Sequence, residues 1–297
     1  MNHTEQRKKL RVPLAGSKCV SPASVFDPLS ARVAEAVGYE IGMLSGSLAS
    51  VTTLGAPDLT ILTLTEYADQ IRRIMRVSRL SLFVDADHGY GNALNVMRTI
   101  QELEHAGVSG LSIEDTALPR SFGQADGEAR MISIEEAVGK LRAAVAARSD
   151  PSLVIAARTS ALVVEGIEST LARVKAYSAT GVDAIYLATN VAGTNVYSRP
   201  DIREQIQSVN AAAKLPLILS AGRSSLKREE LAACGVRIMT QGLQPVAAAV
   251  KALRETYTHL FSGGAPAELK SRIAPPEEME QLVNGESYKQ WLREYMR

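Results

Sequence analysis

The chain has 297 residues, 46% of them hydrophobic and 22% charged, and its 33 basic and 32 acidic side chains leave a formal net charge of +1. That is the composition of a soluble globular protein with a large core, and it excludes the one-sided basic excess selected by nucleic acid or an anionic membrane surface. No apolar run approaches the ~20 residues of a membrane-spanning helix. Met1–Arg11 is polar without an apolar signal segment, and Cys19 and Cys234 make no disulfide framework, so a cytoplasmic protein is expected.

In chain order, a short run rich in Val, Ile and Leu, followed by an amphipathic helix, recurs at about 30 to 40 residues. The runs are Lys18–Ser24, Ile41–Gly46, Ser81–Ala86, Gly110–Asp115, Leu153–Arg158, Ala184–Thr189, Leu215–Ser220 and Val236–Gln241. Near-continuous apolar strands alternating with helices read as a parallel sheet covered by helices. Eight such units predict a closed (β/α)8 TIM-type barrel in one domain over about residues 16–257. Helix starts agree: Asp27-Pro28 reads as a cap with proline in the first turn, and Thr63–Glu66 and Ser133–Glu136 read as capping boxes. Thr116–Ile132, a polar stretch of about 17 residues with Pro119, Gly123 and Gly127, has the length of an active-site lid. Gly263-Gly264 and Pro275-Pro276 then break the chain, and the extension over residues 265–297 ends in a helix predicted at Glu277–Arg297. Trp291 and Tyr295 share a face of it, packed either on the parent barrel or on a neighbouring subunit.

Catalytic groups of such a barrel sit at the C-terminal ends of its strands. The third strand ends Asp85-Ala86-Asp87-His88-Gly89-Tyr90, and alternation turns Asp85 and Asp87 to one side. Two carboxylates there suit a hard cation such as Mg2+ or Mn2+, or else serve as a helix cap and a solvated loop residue. The fourth strand adds Glu114-Asp115, so four acids are expected to converge at the mouth. Arg158, ending the fifth strand, suits a substrate carboxylate or a salt bridge to those acids. Ser45-Gly46-Ser47 ends the second strand, where small residues let backbone N–H groups approach an anion or simply make a turn. His88 and Tyr90 are candidate acids or bases, or structural residues. Cys19 and Cys234 read as small buried residues.

The run Asp85–Asn92, the Ile113-Glu114-Asp115-Thr116 turn and the Ile155–Arg158 strand resemble the isocitrate lyase / phosphoenolpyruvate mutase superfamily, from about Pro22 to Glu255. Val25–Arg32 and Asn92–Leu103 look most like its bacterial oxaloacetate decarboxylase branch. The resemblance implies an α-keto acid ligand chelating Mg2+ (Mn2+ as a substitute) held by Asp85, Asp87 and Glu114, with Asp58 a further acid near the metal. It implies that Ser45, Gly46 and Ser47 hold the substrate carboxylate and that Arg158 holds its keto and carboxylate oxygens. It also implies a homo-oligomer, dimer or tetramer, with the last helix exchanged between subunits.

Departures narrow the chemistry. Thr116–Ile132 holds no cysteine, lysine or histidine, whereas the superfamily's lyases carry Lys-Lys-Cys-Gly-His there, and Thr116 and Phe122-Gly123 replace the lid residues of its phosphoryl and phosphonate enzymes. Decarboxylation of a β-keto acid needs only a Lewis acid and a late proton donor, water or Tyr90. Oxaloacetate to pyruvate and CO2 is therefore the expected reaction. The rivals are a lyase or hydrolase of the same superfamily (methylisocitrate lyase-like, substituted malate lyase or phosphonopyruvate hydrolase) and a non-catalytic dicarboxylate binder. Gly222 and Leu243 fall where the decarboxylase branch carries Tyr and His, so the distal half of the pocket differs from it.

Overall fold

Each of the eight apolar runs contains a strand. In the computed structural model, which describes residues 2–125, 128–191, 194–196, 199–220 and 226–297, these are β1 (Ala23–Ser24), β2 (Ile41–Leu44), β3 (Ser81–Asp85), β4 (Gly110–Glu114), β5 (Val154–Thr159), β6 (Ala184–Leu187), β7 (Leu217–Ser220) and β8 (Val236–Thr240). They form one eight-stranded parallel sheet in chain order. Val20 closes the ring. Its N–H donates to Arg237 O at 2.9 Å and its carbonyl accepts from Met239 N–H at 2.8 Å, a lone parallel bridge to Ile238. The first strand is thus shorter than Lys18–Ser24. Pro22 has no N–H to give, and pairing divides into Val20 on one side and Ala23–Ser24 on the other.

Two apolar layers follow from strand alternation. Met43, Phe83, Val154, Ala156, Ala184, Tyr186, Ile218 and Ile238 fill the barrel, while the other faces pack under the helices. The interior layer is completed by Leu10 and Leu14 of an N-terminal helix, His3–Ala15, which takes in most of the polar stretch Met1–Arg11. Its polar residues are satisfied at the N-terminal end of the barrel: Arg7 donates to Val108 O at 3.0 Å and Glu104 O at 2.7 Å, and Arg11 pairs with Asp183 at 2.8 Å. Gly110 allows this closure, because a Cβ there would stand 2.8 Å from Leu10 Cδ2 and 2.9 Å from Phe83 and Val154.

Helix Pro28–Val37 starts at Asp27 with a reciprocal capping box to Ser30, and Leu64–Met75 with the expected box between Thr63 and Glu66. Ser133 caps Ile134–Ala147 in one direction only, accepting from Glu136 N–H. The C-terminal extension is not one helix. Pro276–Leu282 packs beside Pro28–Val37, with Arg32 Nη1 donating to Leu282 O at 2.6 Å, and Asn284, at φ 56°, turns the chain into Gly285–Tyr295. Trp291 is only half covered within its own chain. It is 48% exposed and stands edge-on to Tyr288 at 5.0 Å.

Candidate active site

Asp85 is the last residue of β3 and is buried. Its Oδ1 accepts from Ser112 Oγ at 3.2 Å and its Oδ2 from Arg158 Nη1. Glu114, the last residue of β4, brings Oε2 to 3.3 Å from Arg158 Nε, yet that nitrogen has no aligned hydrogen-bond partner, so the contact is one of charge. Arg158 lies over the Tyr186 ring, 5.5 Å from its centroid, which supports the guanidinium from below.

Beside β3 stands the end of β2. Gly46 opens a short helix, Gly46–Ala49, capped by Ser45, whose Oγ accepts from Leu48 N–H at 3.2 Å. A Cβ on Gly46 would come within 2.7 Å of Asp87 Oδ1, so only glycine leaves that carboxylate its place. Ser47 Oγ donates to Asp58 Oδ2 at 2.5 Å. Thr60, Asp87 and Tyr90 all have positive φ (59°, 47° and 62°), non-glycine backbones held in a rarely populated region close to these groups. Together the two sides enclose a cavity of about 270 Å³ lined by Ser47, Asp58, Asp85, Asp87, Glu114, Arg158 and Ser160, with Thr116, Arg120, Gln124 and Glu128 of the segment after β4. A wider groove of 590 Å³, between Pro28–Val37 and the C-terminal extension, contains none of these residues.

The electrostatics of the cavity are unbalanced. Burial pushes the Asp87 carboxyl far above the usual range, with Asp85, Glu114 and Asp58 adding repulsion and Arg158 opposing it. Glu114 is pushed up to about 7 by burial, against Arg158 and reinforced by Asp85, Asp115 and Asp58. One guanidinium does not neutralise this many carboxylates. The donors are all oxygen, which fits a hard divalent cation that keeps part of its water shell. Among the described residues no three His, Cys, Asp or Glu side chains already stand as a ligand set. Asp85 is instead turned to Arg158, so the fit is one of charge and donor chemistry.

Several expected residues lie elsewhere. Asp115 does not join the mouth. Ser112 and Glu114 face the barrel interior, so alternation sends Asp115 outward to Tyr177 Oη at 2.7 Å and Thr159 Oγ1 at 2.8 Å. Asp58 takes the fourth place. Tyr90 is off the cavity wall and packs against the outer core, and burial raises its hydroxyl's pKa. His88 is buried, its ring pushed down to about 4 by burial and by Lys140, with Nδ1 unpaired. Ser45 acts as a cap, and Leu243, at the start of helix Gln244–Phe261, is not on the wall. Gly222 lies outside the described residues. The sequence reading missed Ser112, Tyr186 and Ser160, although Ser112 and Tyr186 could have been found as the inward positions of strands whose ends it had used. Both cysteines are buried and free.

A family model described as phosphoenolpyruvate phosphomutase matches residues 14–261. An oxaloacetate decarboxylase of Rhodopseudomonas palustris (strain BisB18) is 45% identical over 291 residues, 98% of this chain and 96% of that protein. Among solved structures, a phosphonopyruvate hydrolase in complex with oxalate and Mg2+ superposes with a TM-score of 0.87 at 28% identity, covering 100% of both chains. An oxaloacetate acetylhydrolase in complex with the inhibitor 3,3-difluorooxalacetate gives 0.81 at 29% identity, over 98% of this chain and 97% of that one.

Proposed function

This chain belongs to the phosphoenolpyruvate phosphomutase family, and we propose that it decarboxylates oxaloacetate to pyruvate and CO2 in the cavity between β2, β3, β4 and β5, with a divalent cation held by Asp85, Asp87 and Glu114. The observation that carries this reading is the set of buried carboxylates that crowd the buried Arg158 guanidinium, in a cavity small enough for a four-carbon acid. The similarity to an oxaloacetate decarboxylase over 98% of the chain supports the same substrate.

A bound Mg2+, with Mn2+ as a substitute, supplies Lewis-acid stabilisation of the charge that develops on the keto oxygen as CO2 leaves. Arg158 holds the keto and carboxylate oxygens, its plane set by Tyr186 and its direction by Asp85. Gly46 and Ser47 present backbone N–H groups to the substrate carboxylate, and the Ser47 hydroxyl, which donates to Asp58 in the free site, turns to the carboxylate when substrate binds. Tyr90 stands off the wall and His88 is buried and neutral, so the proton that completes pyruvate comes from water. No residue of segment 116–132 is a cysteine, lysine or histidine, which disfavours carbon–carbon lysis with thiol-mediated proton exchange. The same reading includes a cytoplasmic homo-oligomer joined through the C-terminal extension.

Pyruvate release from oxaloacetate tests the assignment, measured with Mg2+, with EDTA and with Asp85→Ala, after subtracting the spontaneous and free-metal rates. Release should stop in EDTA and fall at least about a hundredfold in the variant. Release no greater than background in the wild type with Mg2+ rejects the substrate.

A further inference from the structure

Segment 116–132 leaves β4 and returns as an antiparallel stem. Thr116 bridges Met131, Ala117 N–H donates to Arg130 O at 2.7 Å, and Ile132 N–H donates to Asp115 O at 2.9 Å. Arg173, on helix Ile167–Ser178, ties this stem from outside the barrel. Its Nη1 donates to Ile132 O at 2.9 Å and to Tyr177 Oη at 3.1 Å and lies 3.4 Å from Asp115 Oδ2, while its Nε reaches Glu165 at 3.1 Å. Asp115 also accepts from Thr159 and Tyr177, and all three of Arg173, Asp115 and Tyr177 are buried.

The connectivity matters more than the bonds themselves. Asp115 follows Glu114 and Thr159 follows Arg158. Ile132 ends the segment whose Arg120 and Gln124 line the cavity. One buried cluster therefore grips the backbone beside two cavity residues and beside the segment that covers them, while Asp115, Thr159, Arg173 and Tyr177 are absent from the cavity wall. A buried ion pair contributes little net stability, because desolvation offsets attraction, and its best-attested use is to fix register. Arg173 Nη1 meets the stem carbonyl, the Asp115 carboxylate and the Tyr177 phenol while its Nε and Nη2 face Glu165, so one planar group ties the stem to both sides, a span that the single nitrogen of a lysine does not have.

We propose that Arg173 is a positioning residue which, with Asp115 and Tyr177, holds the stem of segment 116–132 and keeps the segment in one arrangement over the cavity. The kinetic part of the test rests on the decarboxylase reading; the proteolytic part does not. Arg120 and Arg130 are exposed trypsin sites on either arm of the segment. In Arg173→Met, cutting after these two residues should accelerate about tenfold while cutting elsewhere is unchanged. KM for oxaloacetate should rise about tenfold, and Arg173→Lys should recover part of both. A purely structural residue would lower the active fraction, and so kcat, without moving KM, and would speed cutting along the whole chain; that pattern overturns the proposal, as does wild-type behaviour. If Arg173→Met does not fold, Arg173→Lys and Tyr177→Phe decide, each expected to show the segment-specific cutting; both behaving as wild type overturns it. Faster cutting at the two sites in a protein that never turns over oxaloacetate keeps the latch and removes the decarboxylase reading.

Discussion

Glu114 links the site to solution conditions. Burial raises its carboxyl to about 7, above the ordinary value of 4.5. The folded chain therefore binds this proton more tightly than the unfolded chain. As pH rises from about 4.5 toward 7, the unfolded form ionises first, and this group withdraws stability from the metal-free fold. Asp87 acts in the same direction. A cation needs both groups ionised, so it restores that stability and binds better as pH rises. At Mg2+ about a hundredfold above its Kd at pH 8, binding should contribute about 2.7 kcal/mol, or a Tm increase on the order of 5 °C. The same Mg2+ concentration at pH 5.5 should give less than half of that increase, and Glu114→Gln should flatten the pH dependence. Thermal scans with and without Mg2+ at the two pH values check this; equal increases would show that Glu114 is not a ligand.

The N-terminal helix His3–Ala15 shows what an element contributes beyond its own pattern. Leu10 is fully buried against the barrel interior, beside Gly110, Phe83 and Val154. Leu10→Ala leaves a void that rigid strands cannot close, so a loss of about 3 kcal/mol is expected, measured by urea unfolding. A loss below about 1 kcal/mol would mean that the helix is a loose cover. This helix was illegible because its inward face carries Gln6 and Arg7 as well as Leu10 and Leu14, and the polar pair finds most of its partners far away in the chain, on the carbonyls of Ser78, Leu80, Glu104 and Val108 and the carboxylate of Asp150. The eight strands were legible because a parallel barrel buries both faces of each, writing continuous apolar runs into the sequence. Asp85, Glu114 and Arg158 were legible as charges ending such runs. The outward turn of Asp115 was equally available from alternation, and was hidden by reading Glu114-Asp115 as a pair.

At the scale of the whole molecule, the C-terminal helices leave more apolar side chain in solvent than a monomer needs. Helix Gln244–Phe261 buries none of its described residues, although Val250, Leu253, Tyr257 and Phe261 are all exposed. Gly285–Tyr295 likewise leaves Tyr288, Trp291 and Leu292 exposed, and Met296 follows it. Scattered apolar residues need no explanation, but two helices with unburied apolar residues in one C-terminal region do. A second copy of the chain would offer the same apolar residues in reverse, and a symmetric pairing is the expected way of covering them. In analytical ultracentrifugation at micromolar concentration the chain should sediment as a dimer or tetramer. If Trp291 lies in that contact, Trp291→Glu buries a charge there and should weaken assembly by about 2 kcal/mol, roughly thirtyfold in the dissociation constant. Because Trp291 is not on the wall of the cavity, oxaloacetate turnover per folded chain should survive in the smaller species. A wild-type monomer, or an assembly that Trp291→Glu leaves unchanged, would assign these helices to some other contact.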